Sequence, residues 1–371
     1  MVVAITLFVF PYVLLLFIFL RSHGRSIVVD AGRFTPSVSI VIATYNEEKK
    51  IDRKIENTLS LEYPKKMLEI VVVDCSEDET PERVRKWAKQ TQTIKLVEEP
   101  KRRGLATALN LGYATANGDI VIKSDCDILH PPNALRRLVA AFSNSQIGGA
   151  CGRQILSNPH STEKGYRTIM DKIREAQSRL DSAYMFEPFC AFRKGLIEPI
   201  NKKSVADDGE LALKIRRKGF RTVFISDALF YEETPTSTVD RLRQKSRRGQ
   251  GHIQLALTNW RVLFNPKYGS FGLFIFPTMF LLIVVNPWLL PLLGLGILYF
   301  LSGLIGISGV LLTTLVVIFL GLSYVTGHPK LLSGFLESQI SLLLGGLSLL
   351  LRGPSYIWEK KNDVSKEKGL H

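Results

Sequence analysis

The sequence has little of what a metal-cross-linked or disulfide-framed protein needs. Its four cysteines, Cys75, Cys126, Cys151 and Cys190, contain no C-x-x-C pair, which excludes a zinc ribbon and a dense disulfide framework. As small apolar side chains they are expected in a core and in a reducing compartment. Zinc-finger spacing, RNP-like aromatic runs and basic-zipper heptads are also missing, so nucleic acid is not the expected partner. Acid is scarce beside base, 34 aspartates and glutamates against 48 lysines and arginines, for a formal charge of +14. That surplus points to another anion, phospholipid or nucleotide.

Charge is absent altogether from two long stretches. Val2 to Leu20 carries none, close to the roughly 20 residues a helix needs to cross a bilayer core. No lysine or arginine precedes it, and Arg-Ser-His-Gly follows where a small-residue cleavage site would lie, so an uncleaved anchor is expected rather than a secretory signal. Arg21, Arg25 and Arg33 after it place the next domain in the cytoplasm by the positive-inside rule. Phe271 to Gly327 is uncharged too, long enough for about three spans, with Pro277, Pro287 and Pro291 marking bends. Leu331 to Leu351, interrupted only by Glu337, reads as one more, giving about four spans over 271–352. His328 and Lys330 would form an outer loop, Glu337 would sit near the outer end, and Lys360, Lys361, Lys366 and Lys368 would return to the cytoplasm in the tail 353–371.

Between these stretches lies an alternation of strand and helix. Ser37 to Ala43 is a continuous β-branched run of the kind buried on both faces of a sheet. Asn46 is expected to cap a helix with Ile51, Ile55 and Leu59 on one face. Leu68 to Val73 is a second strand, followed by Thr80-Pro81-Glu82 as cap and first turn. Ile94 to Val97, a helix over Ala106 to Ala116 and a strand over Ile120 to Ile122 complete the series. Four strands alternating with three helices predict an α/β domain with a mostly parallel sheet, spanning 36–235 between the anchor and linker, 1–35, and a basic interfacial segment, 236–270.

Ligands of such sheets bind beyond the carboxyl ends of the strands. Thr44 to Glu48, Asp74, and Asp125 with Asp127 fall at three of those ends. Asp125-Cys126-Asp127 places two carboxylates on one side of an extended segment, and such hard oxygen ligands suit Mg²⁺ or Mn²⁺ bridging to a phosphate.

With these motifs in this order, the stretch from Pro36 to Gly251 resembles the family 2 inverting glycosyltransferases of the GT-A fold. The resemblance implies that Ala43, Tyr45 and Glu47 hold the base and ribose of a nucleotide sugar, UDP- or GDP-linked, and that Asp74 contacts the base. It makes Gly104 and Asn110 part of the donor segment, and Asp125 and Asp127 the metal-binding D-x-D. Asp207-Asp208 is similar to the family's Glu-Asp pair, whose second acid is the general base, so that role falls to Asp208; a plain helix-cap reading would put Asp207 at the cap.

Gln244-Lys245-Ser246-Arg247-Arg248 resembles the Gln-x-x-Arg-Trp element, which implies that Gln244, Arg247 and Arg248 face the diphosphate and the acceptor. With Arg241 and Arg243 the same residues also read as a basic helix on anionic lipid. The pattern departs at Val73, at Leu105 for a lysine, at Asp207 for glutamate and at Arg248 for tryptophan. Loss of the lysine leaves Arg102 and Arg103 as phosphate contacts, and loss of the tryptophan implies single transfer rather than polymerisation. The membrane setting implies a lipid-linked or membrane-associated acceptor. A sugar nucleotidyltransferase is the competing enzyme class, disfavoured by the lack of a glycine-rich triphosphate loop after the first strand; a membrane scaffold that has lost catalysis is the competing non-enzyme.

Overall fold

The structure, a computed structural model, describes residues 2–27, 34–157, 161–233, 237–326 and 330–356. Arg33, His328 and the four tail lysines of the sequence reading lie outside them. One sheet of eight strands forms the centre, in the order β3-β2-β1-β4-β7-β6-β8-β5. Its first half is parallel: β1 (Val38–Thr44) pairs with β2 (Leu68–Asp74) and β4 (Ile120–Lys123), and β3 (Ile94–Glu98) flanks β2.

Side chains on β1 alternate between two cores, as a strand covered on both faces requires. Ile40 and Ile42 meet Ile51 and Ile55 of α2 (Ile51–Leu59) and Val84 of α3 (Thr80–Gln90). Val41 points the other way, to Leu109 and Tyr113 of α4 (Leu105–Thr115). Each expected strand runs one residue past its predicted end, to Thr44, Asp74, Glu98 and Lys123. Those final residues are polar, which is why a hydrophobic reading stops short of them.

The second half is mixed. After β5 (Ile128–Leu129) and α5 (Ala134–Ala140), β6 (Ile147–Leu156) leads into α6 (Ser161–Leu180). β7 (Cys190–Arg193) lies antiparallel between β4 and β6, and α7 (Asp207–Arg217) leads to β8 (Arg221–Glu232), parallel to β6 and antiparallel to β5. The insertion of β7 beside β4 brings the start of α7 toward the carboxyl end of β4.

Two expected caps are corrected. Asn46 does not cap α2: it adopts φ +54°, donates its amide to Ser76 Oγ at 2.7 Å and accepts from the Glu77 amide at 3.0 Å. Thr80 is the first helical residue of α3, and its amide and hydroxyl both donate to Asp78 Oδ1. Both side chains join the loops after β1 and β2, and this cross-loop bonding displaces the local capping that sequence proximity favours.

The remaining helices wrap one side of the domain. α1 (Val2–Ser22) is apolar throughout, with Arg21 in its last turn. α8 (Thr238–Thr258) carries the basic segment. A continuous helical path from Phe271 follows, with π turns at Phe271–Ile275 and Leu281–Val285 around α9 (Phe276–Phe280), then α10 (Asn286–Ile305). α11 (Ile307–Thr326) and α12 (Lys330–Arg352) complete the chain. The uncharged stretch thus holds two helical segments where about three were expected, because Pro277, Pro287 and Pro291 are absorbed in one path from Phe271 to Leu304 that is long and apolar enough to cross a membrane. Val2–Ser22 and Leu332–Arg352 also meet that criterion.

α12 nevertheless docks on the α/β domain. Glu337, expected near an outer membrane edge, is buried and accepts ion pairs from Arg241 Nε at 3.1 Å and Lys245 Nζ at 3.2 Å, both on α8. Tyr166 of α6 bonds Ser338 at 2.8 Å. Gly345 sits so close that a Cβ there would lie 2.6 Å from the Ser246 carbonyl. By contrast Leu295, Tyr299 and Leu304 on α10, and Leu311, Leu315 and Val317 on α11, are largely exposed.

Candidate active site

Two adjoining regions hold the sequence-predicted residues. The first is a pocket of about 120 Å³ lined by Ala43, Thr44, Tyr45, Glu47, Cys75, Arg102, Gly104 and Tyr356, among others. Ala43 and Tyr45 come from the end of β1 and its loop. Gly104 precedes α4 at φ +97°, a conformation that glycine adopts without strain. Arg102 lies over the Tyr45 ring, 3.9 Å from its centroid, whereas Arg103 turns away to a 2.7 Å ion pair with Glu99.

Asp74 does not line this pocket. It is 2% exposed and accepts from Thr44 Oγ1 at 2.6 Å, Ser76 Oγ at 2.6 Å and the Ser76 amide at 3.0 Å. Its carboxylate ties the loops after β1 and β2 together. Asn110 likewise serves the frame, exchanging bonds of 2.7 and 2.8 Å with the backbone of Ile200. All four cysteines are free and three are buried as expected; Cys75 is the half-buried one that faces the pocket. Tyr356 reaches it from beyond α12, where Gln250 of α8 fixes the chain by donating to the Gly353 carbonyl at 3.0 Å and accepting from the Ser355 amide at 3.0 Å.

The second region is an acid cluster at the end of β4, and at its centre is a residue that the motif reading missed. Lys123 is buried, with Nζ 2.6 Å from Asp207 Oδ2, 3.7 Å from Asp125 Oδ1 and 3.9 Å from Asp208 Oδ2. A lysine closing an otherwise apolar strand two residues before D-x-D was its signal in the sequence. Burial alone would lower the ammonium; the three carboxylates outweigh that and hold its pKa well above the ordinary value.

Burial acts oppositely on the acids. It pushes Asp125 up to about 6, opposed by Lys123 and reinforced by Asp127 and Asp207. It raises Asp208 to about 7, again opposed by Lys123 and reinforced by Asp207. Asp207 is the first residue of α7, with Ala206 in the capping position, so the cap reading of Asp207 is corrected: its carboxylate is turned to Lys123. Asp208 accepts from the amide of Gly209 at 2.7 Å and remains 18% exposed.

Asp125 is part-exposed and Asp127 is exposed, with buried Cys126 between them. Among the described residues no three acidic, histidine or cysteine groups form a ready metal cage. Two hard carboxylates at a solvent edge fit a cation that takes its other ligands from water and a phosphate.

Arg247 and Arg248 arrive from α8. Arg248 Nη2 donates to Glu232, the buried end of β8, at 2.7 Å, and Gln154 donates to the same carboxylate. Arg247 is subject to the charges of Asp207, Asp125 and Glu232, which places it beside the cluster. Gln244 is half-buried one turn earlier on α8; among the described residues it has no bond to the acids.

A model of glycosyl transferase family 2 matches residues 39–200, and one of glycosyl transferase family group 2 matches residues 120–326. The chain is 29% identical over 265 residues to the probable glycosyltransferase YdaM of Bacillus subtilis, covering 65% of this chain and 63% of that protein. It is 30% identical over 142 residues to the dolichol-phosphate mannosyltransferase of Pyrococcus furiosus, covering 36% and 38% respectively. The matched stretches therefore span less than two thirds of either relative. Among solved structures, the mannosyltransferase PcManGT from Pyrobaculum calidifontis, in complex with GDP-Man and Mn²⁺, superposes with a TM-score of 0.75 at 24% identity over 94% of this chain and 98% of that one, which establishes a shared GT-A-like fold. With the group 2 model spanning more than half of its length, including D-x-D, Asp208 and the basic helix, the chain belongs to glycosyl transferase family group 2.

Proposed function

We propose that the protein is a membrane-embedded inverting glycosyltransferase, moving a sugar from a UDP- or GDP-linked donor to a lipid-linked or membrane-associated acceptor at the cytoplasmic face. The observation that carries this reading is the convergence of Asp125, Asp207 and Asp208 on Lys123 beside the pocket of Ala43, Tyr45, Glu47 and Gly104. The pocket takes the base and ribose, and Asp74 keeps its walls in register from behind. Asp125 and Asp127 fit Mg²⁺ or Mn²⁺, and the Mn²⁺ in the Pyrobaculum complex supports that choice. When bound, the cation offsets charge on the departing diphosphate. Arg247 and Arg248 add fixed positive charge on the opposite side, and Gln244 is assigned to the same contact from the motif alone.

The geometry separates the two neighbouring acids. Asp207 is committed to Lys123 at 2.6 Å, whereas Asp208 stands at 3.9 Å, part-open, with its pKa raised to about 7. A general base works best when its pKa lies near the operating pH. Asp208 therefore takes the proton from the acceptor hydroxyl as that oxygen attacks the anomeric carbon from the side opposite the leaving group. Arg248, held by Glu232 where polymerising relatives carry tryptophan, supports transfer of one sugar per acceptor.

For the membrane part we assign α1, the Phe271–Leu304 path and α11 as spans, and α12 as an interfacial helix. α12 returns its far end to the donor pocket through Gln250 and Tyr356, so two crossings after residue 270 bring the chain back to the catalytic side.

The test is transfer from a panel of labelled nucleotide sugars to total membrane lipid by the full chain in detergent. One donor is expected to label lipid in a metal-dependent way, and the product anomer is expected to be inverted. Absence of transfer from every donor, or undiminished transfer in excess chelator, refutes the reading or its metal.

A further inference from the structure

A cavity of about 450 Å³ lies between α1, α6, α8, α9 and α12, apart from the donor pocket. Much of its wall is apolar, including Leu15, Met170, Ile173, Leu282, Phe335 and Leu342. The rest is cationic: Arg167, Arg174, Lys245 and Arg248 face it with one acid, Glu187. These charges are gathered together. Arg174 donates to Glu187. Arg167 donates to Gln154, Gln154 to Glu232, and Arg248 to the same Glu232. Burial alone would raise Glu187, yet Arg174, Arg167 and Arg248 outweigh it and hold the carboxyl below its ordinary range.

The cationic end adjoins the acid cluster, because Glu232, which holds Arg248, is the register partner of Ile128, the residue after Asp127. The apolar walls include Leu15 from α1 and Leu282 just before α10, both on segments assigned above to the bilayer. An amphipathic guest would therefore lie with its head toward the reaction centre and its tail toward the membrane. Guanidinium forks match phosphate oxygens in pairs, which favours phosphate over a neutral hydroxyl head. The volume falls within the range of a single ligand pocket and suits one hydrocarbon chain better than two.

We propose that this cavity is the acceptor site and that it takes a single-chain lipid phosphate, the hydrocarbon between α1, α6 and α12 and the phosphate against Arg167, Lys245 and Arg248, with the P–OH of its monoanion as the hydroxyl whose proton passes to Asp208. The inference rests on the glycosyltransferase reading for the word acceptor, but binding is separable from transfer. The probes are farnesyl phosphate, farnesol and palmitate, titrated against the full chain in detergent without donor. Farnesyl phosphate should bind at least about tenfold more tightly than either, the difference one or two charge-assisted bonds supply. M170W, which fills the apolar part, should abolish that binding while its cooperative thermal unfolding and its binding of nucleotide diphosphate persist. Should M170W fail to fold, a photoreactive farnesyl phosphate on the wild-type chain decides: adducts on the cavity-facing residues of α1, α6, α8, α9 and α12 support the site, and adducts elsewhere overturn it. Equal binding of farnesol or palmitate, or full binding by folded M170W, also overturns it. Binding at this site without transfer from any nucleotide sugar would sink the enzymatic reading and leave the lipid site standing.

Discussion

Replacing Asp208 by Asn separates two consequences of one buried carboxyl. In the folded, metal-free protein its pKa is raised from 3.8 to about 7, first by burial and then by Asp207, with Lys123 opposing. The difference of roughly 3 units corresponds to about 4 kcal/mol at 1.36 kcal/mol per unit. The folded state binds a proton over a window, about pH 4 to 7, in which the unfolded chain has released it, so stability attached to this group is present at low pH and lost as pH rises through 7. Asp208→Asn removes that cost. Thermal unfolding in chelator should therefore show the variant gaining on wild type as pH goes from 5 to 8, by up to about 3 kcal/mol, less whatever Lys123 at 3.9 Å now contributes. In the same preparation sugar transfer should fall by about 10²–10⁴-fold with donor binding retained. A variant that transfers normally loses Asp208 its role as base. A stability difference that stays flat from pH 5 to 8 means the carboxyl is not buried as described.

Lys123→Met should cost more stability than Asp208→Asn can gain, on the order of 3–5 kcal/mol, because it strands acids that now share one buried cation; urea titration at pH 8 measures it, and a neutral effect contradicts the ion-pair geometry. Asp127→Ala should abolish the stimulation of donor binding by Mn²⁺ while leaving the fold intact, since its side chain is exposed; calorimetry with UDP and GDP, with and without metal, checks this. Tyr356→Ala should weaken nucleotide binding by roughly tenfold, the worth of one aromatic contact on a base, and leave metal-independent folding unchanged; unaltered affinity would place Tyr356 outside the donor site.

The sequence revealed what depends on local pattern. β1, β2 and β4 were readable because β-branched runs buried on two faces have few other uses, and motif order singled out Asp125, Asp207 and Asp208, which the structure brings together around Lys123. What escaped depends on distance along the chain. Lys123 meets Asp207 across 84 positions and Glu337 meets Arg241 across 96, and no spacing rule reaches so far. The same reason explains why Glu337 read as lying near an outer membrane edge: only its partners on α8 reveal that it faces protein. Asn46 and Thr80 were misread because their side chains accept from a neighbouring loop, from the amides of Glu77 and Glu47, in preference to capping the helix that follows them.

The clasp between Gln250 and the backbone at Gly353 and Ser355 has a practical corollary. A fragment cut at residue 270 would keep every motif of the α/β domain and still lack Tyr356 from the pocket of Ala43, Tyr45 and Gly104 and Glu337 from beneath Arg241 and Lys245. Such a fragment would be a poor guide to what that pocket binds, and a fusion placed near Tyr356 would tether its cargo beside the pocket.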